Sequence, residues 1–299
     1  MWGLKQNIGL EPKAALIFSH MLDTFALGFC STFALGCAAE VCIIALSYRL
    51  SPAIYPPNYA VHKQWLWHTT AAAIFPAVAV PYYAFPGTLA LWRAKVGVAT
   101  LLTAPANVQL WKALGFSLAH FTVDGVVLAV KSKQMIEAMR KPLWMQMIAH
   151  HALSILLWPK AFLDSVSVFA VGYFMVTEVT NVMLNTRWFL VELKVTGPLK
   201  VVWDVVFVVS YTVVRILTIP AALWVAWVTD WSAYASHASG FDLLLTLAIL
   251  IPFALNIFWY SLILKGIRAL FRPKEEEKKR EEAFEEGRAM CHEGDSPLV

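Results

Sequence analysis

Apolar runs recur along the chain, separated by short polar stretches, and most of them are long enough to cross a bilayer as helices. Roughly 20 apolar residues are needed to span about 30 Å of hydrocarbon. The sequence therefore predicts an all-α polytopic membrane protein. About seven transmembrane helices are expected, over residues 25–46, 66–91, 108–130, 143–158, 161–184, 201–228 and 241–264.

Prolines mark the irregular points of this pattern. The second run contains Pro76, Pro81 and Pro86. Because proline has no backbone N–H to donate, we expect this helix to kink and neighbouring helices to supply hydrogen-bond partners. Pro159 lies between the fourth and fifth runs, and we expect the helix to break there.

The composition agrees with a membrane protein. Hydrophobic residues occupy 59% of the 299 positions and charged residues only 15%, whereas a soluble domain carries about 25% charged residues. The net charge of +4 is small, and the basic residues flank the apolar runs. They favour contact with anionic lipid headgroups and argue against a nucleic-acid partner. The four cysteines form no CxxC pair, so we expect neither a disulfide framework nor a cysteine metal site.

Basic residues predict the orientation in the membrane, since cytosolic loops are rich in lysine and arginine. The segments after the first, third, fifth and seventh runs are basic, and residues 229–240 carry no Lys or Arg. We expect a lumenal N-terminus and a cytosolic C-terminus, although Arg93, Lys95 and Lys112 lie on the other side. The tail from Pro273 mixes both charge signs, and we expect it to be solvated and without specific chemistry.

Ionisable side chains within the apolar runs point to a site, because each costs at least about 2.5–3.5 kcal/mol at the bilayer centre. His120 and Asp124 are four residues apart and share one helix face. The remaining polar positions of these runs are His150, His151, Glu178, Asn181, Asn185, Tyr211 and Arg215.

Arg215 needs a partner more than any other of these residues, since its guanidinium is always charged. Asp204 is on the same run but roughly 16 Å away along a helix axis. We therefore expect the partner to be Glu178 or Asp124, from another helix. Such contacts either form a packing network or line a chamber in which a lipid headgroup or thioester binds.

The adjacent histidines His150 and His151 leave three interpretations open. In the first, one of the two is a general base, since a buried histidine stays neutral. In the second, both are metal ligands together with His120 and Glu178. In the third, both are structural. The HxxxH and HxxHH spacings of di-iron membrane desaturases are absent, and we expect no metal site.

These positions resemble the TLC family, named for TRAM, Lag1 and CLN8 proteins. The segment GFSLAHFTVDGVVLAV (115–130) resembles the family's helix with an inward aspartate, and AHHALSILLW carries its paired histidines. TEVTNVMLNTRWFLVEL (177–193) resembles the TLC-domain-containing subfamily. Further matching positions are Arg215-Ile216, Pro220, Asn256, Trp259-Tyr260 and Lys265-Gly266. The resemblance implies an N-terminal segment with one extra helix (1–61), a six-helix TLC domain (62–271) and a charged cytosolic tail (272–299).

Ceramide synthases belong to the same family, and they resemble this chain at the histidine pair. Their second motif, HDxxDxxLE, corresponds here to Thr177, Glu178, Asn181 and Leu184. One histidine and one aspartate are therefore lost, and the other aspartate is replaced by glutamate. This departure sets the chain apart from the ceramide synthase signature.

The resemblance implies two functions of different classes. In the first, the chain binds membrane lipids or acyl chains in a polar intramembrane chamber and takes part in lipid homeostasis or trafficking. In the second, it is an acyl-CoA-dependent N-acyltransferase of sphingolipid biosynthesis. His150 or His151 is then the base, Glu178 assists, and the chamber is lined by His120, Asp124, Asn181, Asn185, Tyr211 and Arg215.

The same resemblance sets the remaining expectations. Acyl-CoA is a candidate co-substrate, and no other cofactor is expected. The expected partners are membrane lipids, with a homodimer as a candidate assembly. The expected location is the endoplasmic reticulum. CLN8-like members, which are cargo receptors of the early secretory pathway, offer a third function.

Overall fold

A computed structural model describes residues 25–94, 98–248 and 250–270, which are largely helical and contain no strand. The predicted charged tail and Cys291 lie outside these residues. Within them, Cys30, Cys37 and Cys42 are free thiols, as expected. The described helices are α1 (Ser31–Leu50), α2 (Val61–Arg93), α3 (Val108–Val130), α4 (Ser132–Met139), α5 (Lys141–Leu163), α6 (Val168–Thr177), α7 (Thr180–Glu192), α8 (Pro198–Tyr211), α9 (Ile219–Val228), α10 (Trp231–His237), α11 (Gly240–Ala248) and α12 (Leu250–Leu270).

Two π-helical turns occur among the described residues. One π-helical turn (Phe25–Cys30) precedes α1, and the other (Thr212–Ile216) lies between α8 and α9. The segment 131–141, expected as a loop, contains the short helix α4. The described residues up to Phe253 pack as one unit, and the rest of α12 belongs to a second unit.

Six helical stretches of the described residues are long and apolar enough to cross a membrane, which confirms an all-α polytopic membrane fold. They correspond to the predicted helices one, two, three, five, six and seven, and the third has the predicted bounds. The six stretches are Leu27–Ala53, Val61–Arg93, Val108–Val130, Val168–Glu192, Pro198–Val228 and Gly240–Arg268.

The predicted fourth transmembrane helix forms as α5, but it is not among these six. Its polar residues, including the histidine pair, lower its hydropathy. It nevertheless runs antiparallel beside α3 over most of its length. Trp144 Nε1 donates to the Leu128 carbonyl near the end of α3, 3.0 Å away. At the other end, the Trp111 and Phe162 rings lie 5.1 Å apart.

Helix α5 continues through Pro159, so the break predicted at this residue is wrong. The helix ends at Leu163, four residues later. Proline removes one backbone donor, and a helix that is packed along its length tolerates that loss. The chain turns instead at Ser165 and Ser167, whose φ angles of 55° and 59° are left-handed. Helix α2 likewise contains its three prolines without interruption.

Helix α3 is central to the fold, because α1, α2 and α5 all pack against it. Its start is fixed by Asn107, whose side chain accepts from the N–H groups of Gln109 and Leu110 at 3.1 Å. This is an N-cap, which satisfies donors that the first helical turn leaves free. Leu110, Ala113 and Leu114 of α3 are fully buried in the main hydrophobic core.

Two glycines allow α1 and the preceding turn to approach α3 closely. A Cβ at Gly36 would lie 2.7 Å from the Ala119 Cβ. A Cβ at Gly115 would overlap the Thr32 hydroxyl and would lie 2.7 Å from the Phe29 carbonyl oxygen. Membrane helices that meet through small residues gain van der Waals contact. The glycines therefore set the distance between α1 and α3.

The substitution Gly115→Ala is expected to destabilise the fold. Its Cβ meets backbone atoms, which cannot rotate away, and overpacking of this kind costs about 1–3 kcal/mol. Thermal unfolding of the full chain in detergent should show a lower Tm. Gly266→Ala is the control, since no described atom lies within 4 Å of a Cβ there. Equal Tm values for the two variants would contradict the close crossing.

Candidate functional site

The candidate site lies midway along the membrane-spanning helices. His120 is roughly 18 Å from the start of α3, and Glu40 is roughly 20 Å from the start of the first apolar helix, at 1.5 Å per residue. Polar side chains from four helices, from the turn between α6 and α7 and from the second π-helical turn meet at this depth. We call them the polar cluster: Glu40, His120, Asp124, His151, Glu178, Asn181 and Arg215.

Glu40 and His120 form the first contact of the cluster. The His120 Nδ1 atom lies 3.1 Å from Glu40 Oε2, within hydrogen-bond distance. Glu40 is only 1% exposed, and its second oxygen, Oε1, has no hydrogen-bond partner among the described residues. A buried carboxylate oxygen without a partner is costly. One partner is therefore still to be supplied here.

Asp124 and His151 form the second contact, between α3 and α5. The distance from His151 Nδ1 to Asp124 Oδ2 is 3.6 Å, too long for a hydrogen bond. The Nδ1 atom is buried, and within the described part of the chain it has no hydrogen-bond partner. His120 is close by, since its ring centroid is 5.9 Å from that of His151.

Arg215 is the best-satisfied member of the cluster. Its Nε donates to Thr180 Oγ1 at 2.7 Å, and its Nη2 donates to the Thr177 carbonyl and to Asn181 Oδ1, each at 3.2 Å. Nη2 also lies 3.6 Å from Glu178 Oε1. The prediction that Glu178 or Asp124 pairs with Arg215 is confirmed for Glu178.

Asp204 has other partners, as expected. Its two oxygens accept from Arg187 Nε at 2.8 Å and from Lys200 Nζ at 2.5 Å. This ion pair is partly exposed, with 39% of the Arg187 side chain accessible. It therefore belongs to the end of the bundle where α7 ends and α8 begins, and not to the polar cluster.

Glu178 and Arg215 lie opposite each other, and each is in a stretch of irregular backbone. Glu178 and Val179 form a turn between α6 and α7, so the fifth predicted helix is interrupted at the acidic residue. Arg215 lies in the second π-helical turn, where the Leu217 N–H donates to the Thr212 carbonyl five residues earlier. π-Helical turns are frequent at functional sites.

The structure gives the other predicted residues different surroundings. Tyr211 is buried, and the Arg215 guanidinium carbon lies 5.5 Å from its ring centroid. His150 is half-buried and packs against Phe121, with 5.4 Å between ring centroids. Asn185 is half-buried one turn beyond Asn181, and it makes no hydrogen bond to the described members of the cluster.

Glu40 is the residue that the sequence analysis missed. It is an isolated carboxylate within the first apolar run, so the cost of an intramembrane charge was the available signal. The sequence pattern places the first helix outside the domain, and its carboxylate is therefore not among the predicted site residues. The helix assigned as extra therefore provides the only described partner of the His120 ring nitrogen Nδ1.

The cluster has two parts, one around Arg215 and Glu178 and one around His120, Asp124 and His151. One ligand atom each from His120, Asp124 and His151 lies within 4.8 Å of the other two. The cluster can therefore accept a proton, orient a polar group by charge, or hold a cation.

A second polar group lies near the end of α1 and the start of α2, outside the cluster. His68 Nδ1 is 2.9 Å from Ser47 Oγ, and its Nε2 is 3.2 Å from Tyr55 OH. In the loop before α2, burial raises the pKa of Tyr55, and burial together with the charge of Glu192 raises that of Tyr59. Both phenols are therefore neutral at physiological pH, and we interpret the group as structural.

Comparison with known proteins agrees with this class of membrane protein. The model of the TLC domain, the TRAM, LAG1 and CLN8 family, matches residues 58–265. The chain therefore belongs to the TLC-domain family. A comparison with curated proteins found no match. Glu40 lies before the matched residues, whereas the rest of the polar cluster lies within them.

The substitution Arg215→Leu is expected to destabilise the bundle. It leaves Glu178, Thr180 and Asn181 without their shared donor, and removing one partner of a buried ion pair costs about 3–5 kcal/mol. Thermal unfolding in detergent should show a large fall in Tm. Arg187→Leu breaks a partly exposed pair and should cost only about 0–1 kcal/mol. A normal Tm for Arg215→Leu would show that the arginine is not structural.

Proposed function

We propose that this protein binds a membrane lipid or acyl chain at the polar cluster and takes part in membrane lipid homeostasis or trafficking. One observation carries the proposal. Two buried atoms, Glu40 Oε1 and His151 Nδ1, have no hydrogen-bond partner among the described residues. The polar atoms of a lipid headgroup would supply the missing hydrogen-bond partners.

Access to the cluster supports this proposal. The side chains of His120, Asp124 and Glu178 keep 17%, 12% and 18% of their surface exposed. A ligand that reaches them from the bilayer places its polar headgroup against these residues and its acyl chains against the apolar helix surfaces. Membership of the TLC-domain family favours a ligand of the lipid class.

Location and orientation belong to the same proposal. Arg49 lies near the end of α1, and Lys131 directly follows α3. Lys63 lies at the start of α2, and Arg187 lies within α7. Lys131 lies over the Trp65 ring, 4.6 Å from its centroid, so the end of α3 and the start of α2 share one end of the bundle. By the positive-inside rule this end faces the cytosol. We therefore propose a lumenal N-terminus, and from the family resemblance we propose residence in the endoplasmic reticulum.

Retention of lipid by the purified full chain tests the proposal. Asp124→Asn should lower the amount of co-purified lipid, measured by mass spectrometry per mole of protein, by at least about tenfold. A hydrogen bond to a charged group contributes about 1.5–3 kcal/mol, and 1.4 kcal/mol corresponds to a tenfold change in affinity.

Asp204→Asn is the matched control, because it removes the charge of an aspartate outside the polar cluster. It should retain lipid at the wild-type level. The proposal fails if the wild-type protein retains no lipid, or if both variants lose lipid equally.

A second function, acyl-CoA-dependent N-acyltransfer, is favoured by the position of His151 beside Asp124. A carboxylate near Nδ1 can orient a histidine that acts as a base through Nε2. The amine nitrogen would form a bond to the thioester carbonyl carbon, and the carbon–sulfur bond would break. His151 would take the amine proton and pass it to the departing thiolate. Glu178, which forms an ion pair with Arg215, would assist.

Labelled long-chain acyl-CoA and sphinganine test this second function. If the protein is an N-acyltransferase, the purified wild type forms the amide, and the double variant His150→Ala/His151→Ala forms none while keeping a monodisperse elution profile. Product from the wild type alone would reject a purely non-catalytic role. Lipid retention without any product would reject the acyltransferase.

A further inference from the structure

Three side chains of the polar cluster bring metal-ligating atoms together at a spacing close to that of a coordination sphere. Ligand atoms of His120, Asp124 and His151 lie within 4.8 Å of one another, and the His151 Nδ1 to Asp124 Oδ2 distance is 3.6 Å. Tetrahedral zinc with bonds of about 2.0–2.1 Å places its ligands roughly 3.3 Å apart. Shifts of up to roughly 1.5 Å would therefore close the set around an ion.

The unpartnered nitrogen of His151 is an independent observation. His151 is 3% exposed, and its buried Nδ1 has no hydrogen-bond partner among the residues described. Buried polar atoms in native proteins are nearly always satisfied, so such an atom requires an explanation. In the tautomer with its proton on Nε2, the Nδ1 atom presents a lone pair. A metal ion accepts such a lone pair and also offsets the charge of the neighbouring carboxylate.

Glu40 supplies the outer contact that a metal-binding histidine needs. Metal-ligating histidines almost always donate the N–H of their other ring nitrogen to a carboxylate, a carbonyl or water. His120 Nδ1 is 3.1 Å from Glu40 Oε2. That contact occupies Nδ1, so we assign the other ring nitrogen of His120, Nε2, to the ion.

We propose that His120, Asp124 and His151 bind one divalent transition-metal ion, with Glu40 as a positioning residue. Zinc is the first candidate, because sites with three nitrogen or oxygen ligands and one open position are typical of it. The sequence-based expectation of no metal considered the spacings of di-iron enzymes. A mononuclear site needs only a histidine and an aspartate one turn apart on α3, and one histidine of α5.

The proposal separates the two halves of the cluster. Glu178, considered from sequence as a ligand, is engaged by Arg215 and Asn181 instead. The fourth coordination position is open to water or to a lipid oxygen. Only the assignment of a lipid oxygen to the fourth position rests on the proposed function. The binding of the ion by the three side chains does not depend on it.

Metal analysis of the full chain, purified in detergent without chelator, tests the site. We expect about one zinc per chain by elemental analysis. After removal of zinc, added Co²⁺ should produce visible d–d absorption. Asp124→Asn and His151→Gln should lose both signals, and Glu40→Gln should weaken metal affinity by about 10–100-fold.

His62→Gln is the matched control. His62 Nδ1 lies 3.6 Å from Glu137 Oε1, the same separation as in the proposed site, but the His62 side chain is 30% exposed. This variant should keep the wild-type metal content and cobalt spectrum. Where a cluster variant elutes as an aggregate, the wild type alone decides: chelation should lower its Tm, and zinc should restore it.

A wild type that binds neither zinc nor cobalt overturns the proposal, as does equal metal loss in His62→Gln and His151→Gln. A wild type that retains lipid but binds neither zinc nor cobalt would reject this inference and leave the proposed function intact. Metal binding without any retained lipid would support the metal site and reject the proposed lipid binding.

Discussion

The cost of a charge inside the bilayer governs the arrangement of this molecule. Arg215 cannot lose its charge, so its guanidinium must find acceptors where water is absent. The carbonyl of Thr177, the hydroxyl of Thr180 and the amide oxygen of Asn181 provide them, with Glu178 as the counter-charge. These contacts tie the π-helical turn after α8 to the turn between α6 and α7. The irregular backbone at both places is thus held by the same ion pair.

The second constraint is the close approach of α1 and α3. Gly36 and Gly115 leave no room for a Cβ between these helices. Because the helices are so close, the short Glu40 side chain reaches His120 within hydrogen-bond distance. A helix that precedes the matched TLC-domain residues therefore contributes to the centre of the site. The packing of small residues far from any chemistry determines which side chains meet.

The two halves of the polar cluster differ in how fully they are satisfied. Around Arg215 each described donor has an acceptor, as expected for a structural network. Around His120, Asp124 and His151 two buried atoms have no hydrogen-bond partner among the described residues. The first half holds the bundle together, and the second is where a ligand gains most by binding. This contrast underlies both the proposed lipid site and the proposed metal site.

The length and recurrence of the apolar runs determined the class of fold, because a helix that crosses hydrocarbon needs a continuous apolar run whatever its neighbours are. For the same reason α3 has the bounds that were predicted, and the need of Arg215 for a counter-charge made Glu178 foreseeable. Tertiary structure decided what depends on neighbours. Helix α5 continues through Pro159 because it is packed along α3, and Glu40 joins the site because two glycines bring its helix close. The pairing of His151 with Asp124 rests on the antiparallel register of α3 and α5, which no local pattern encodes.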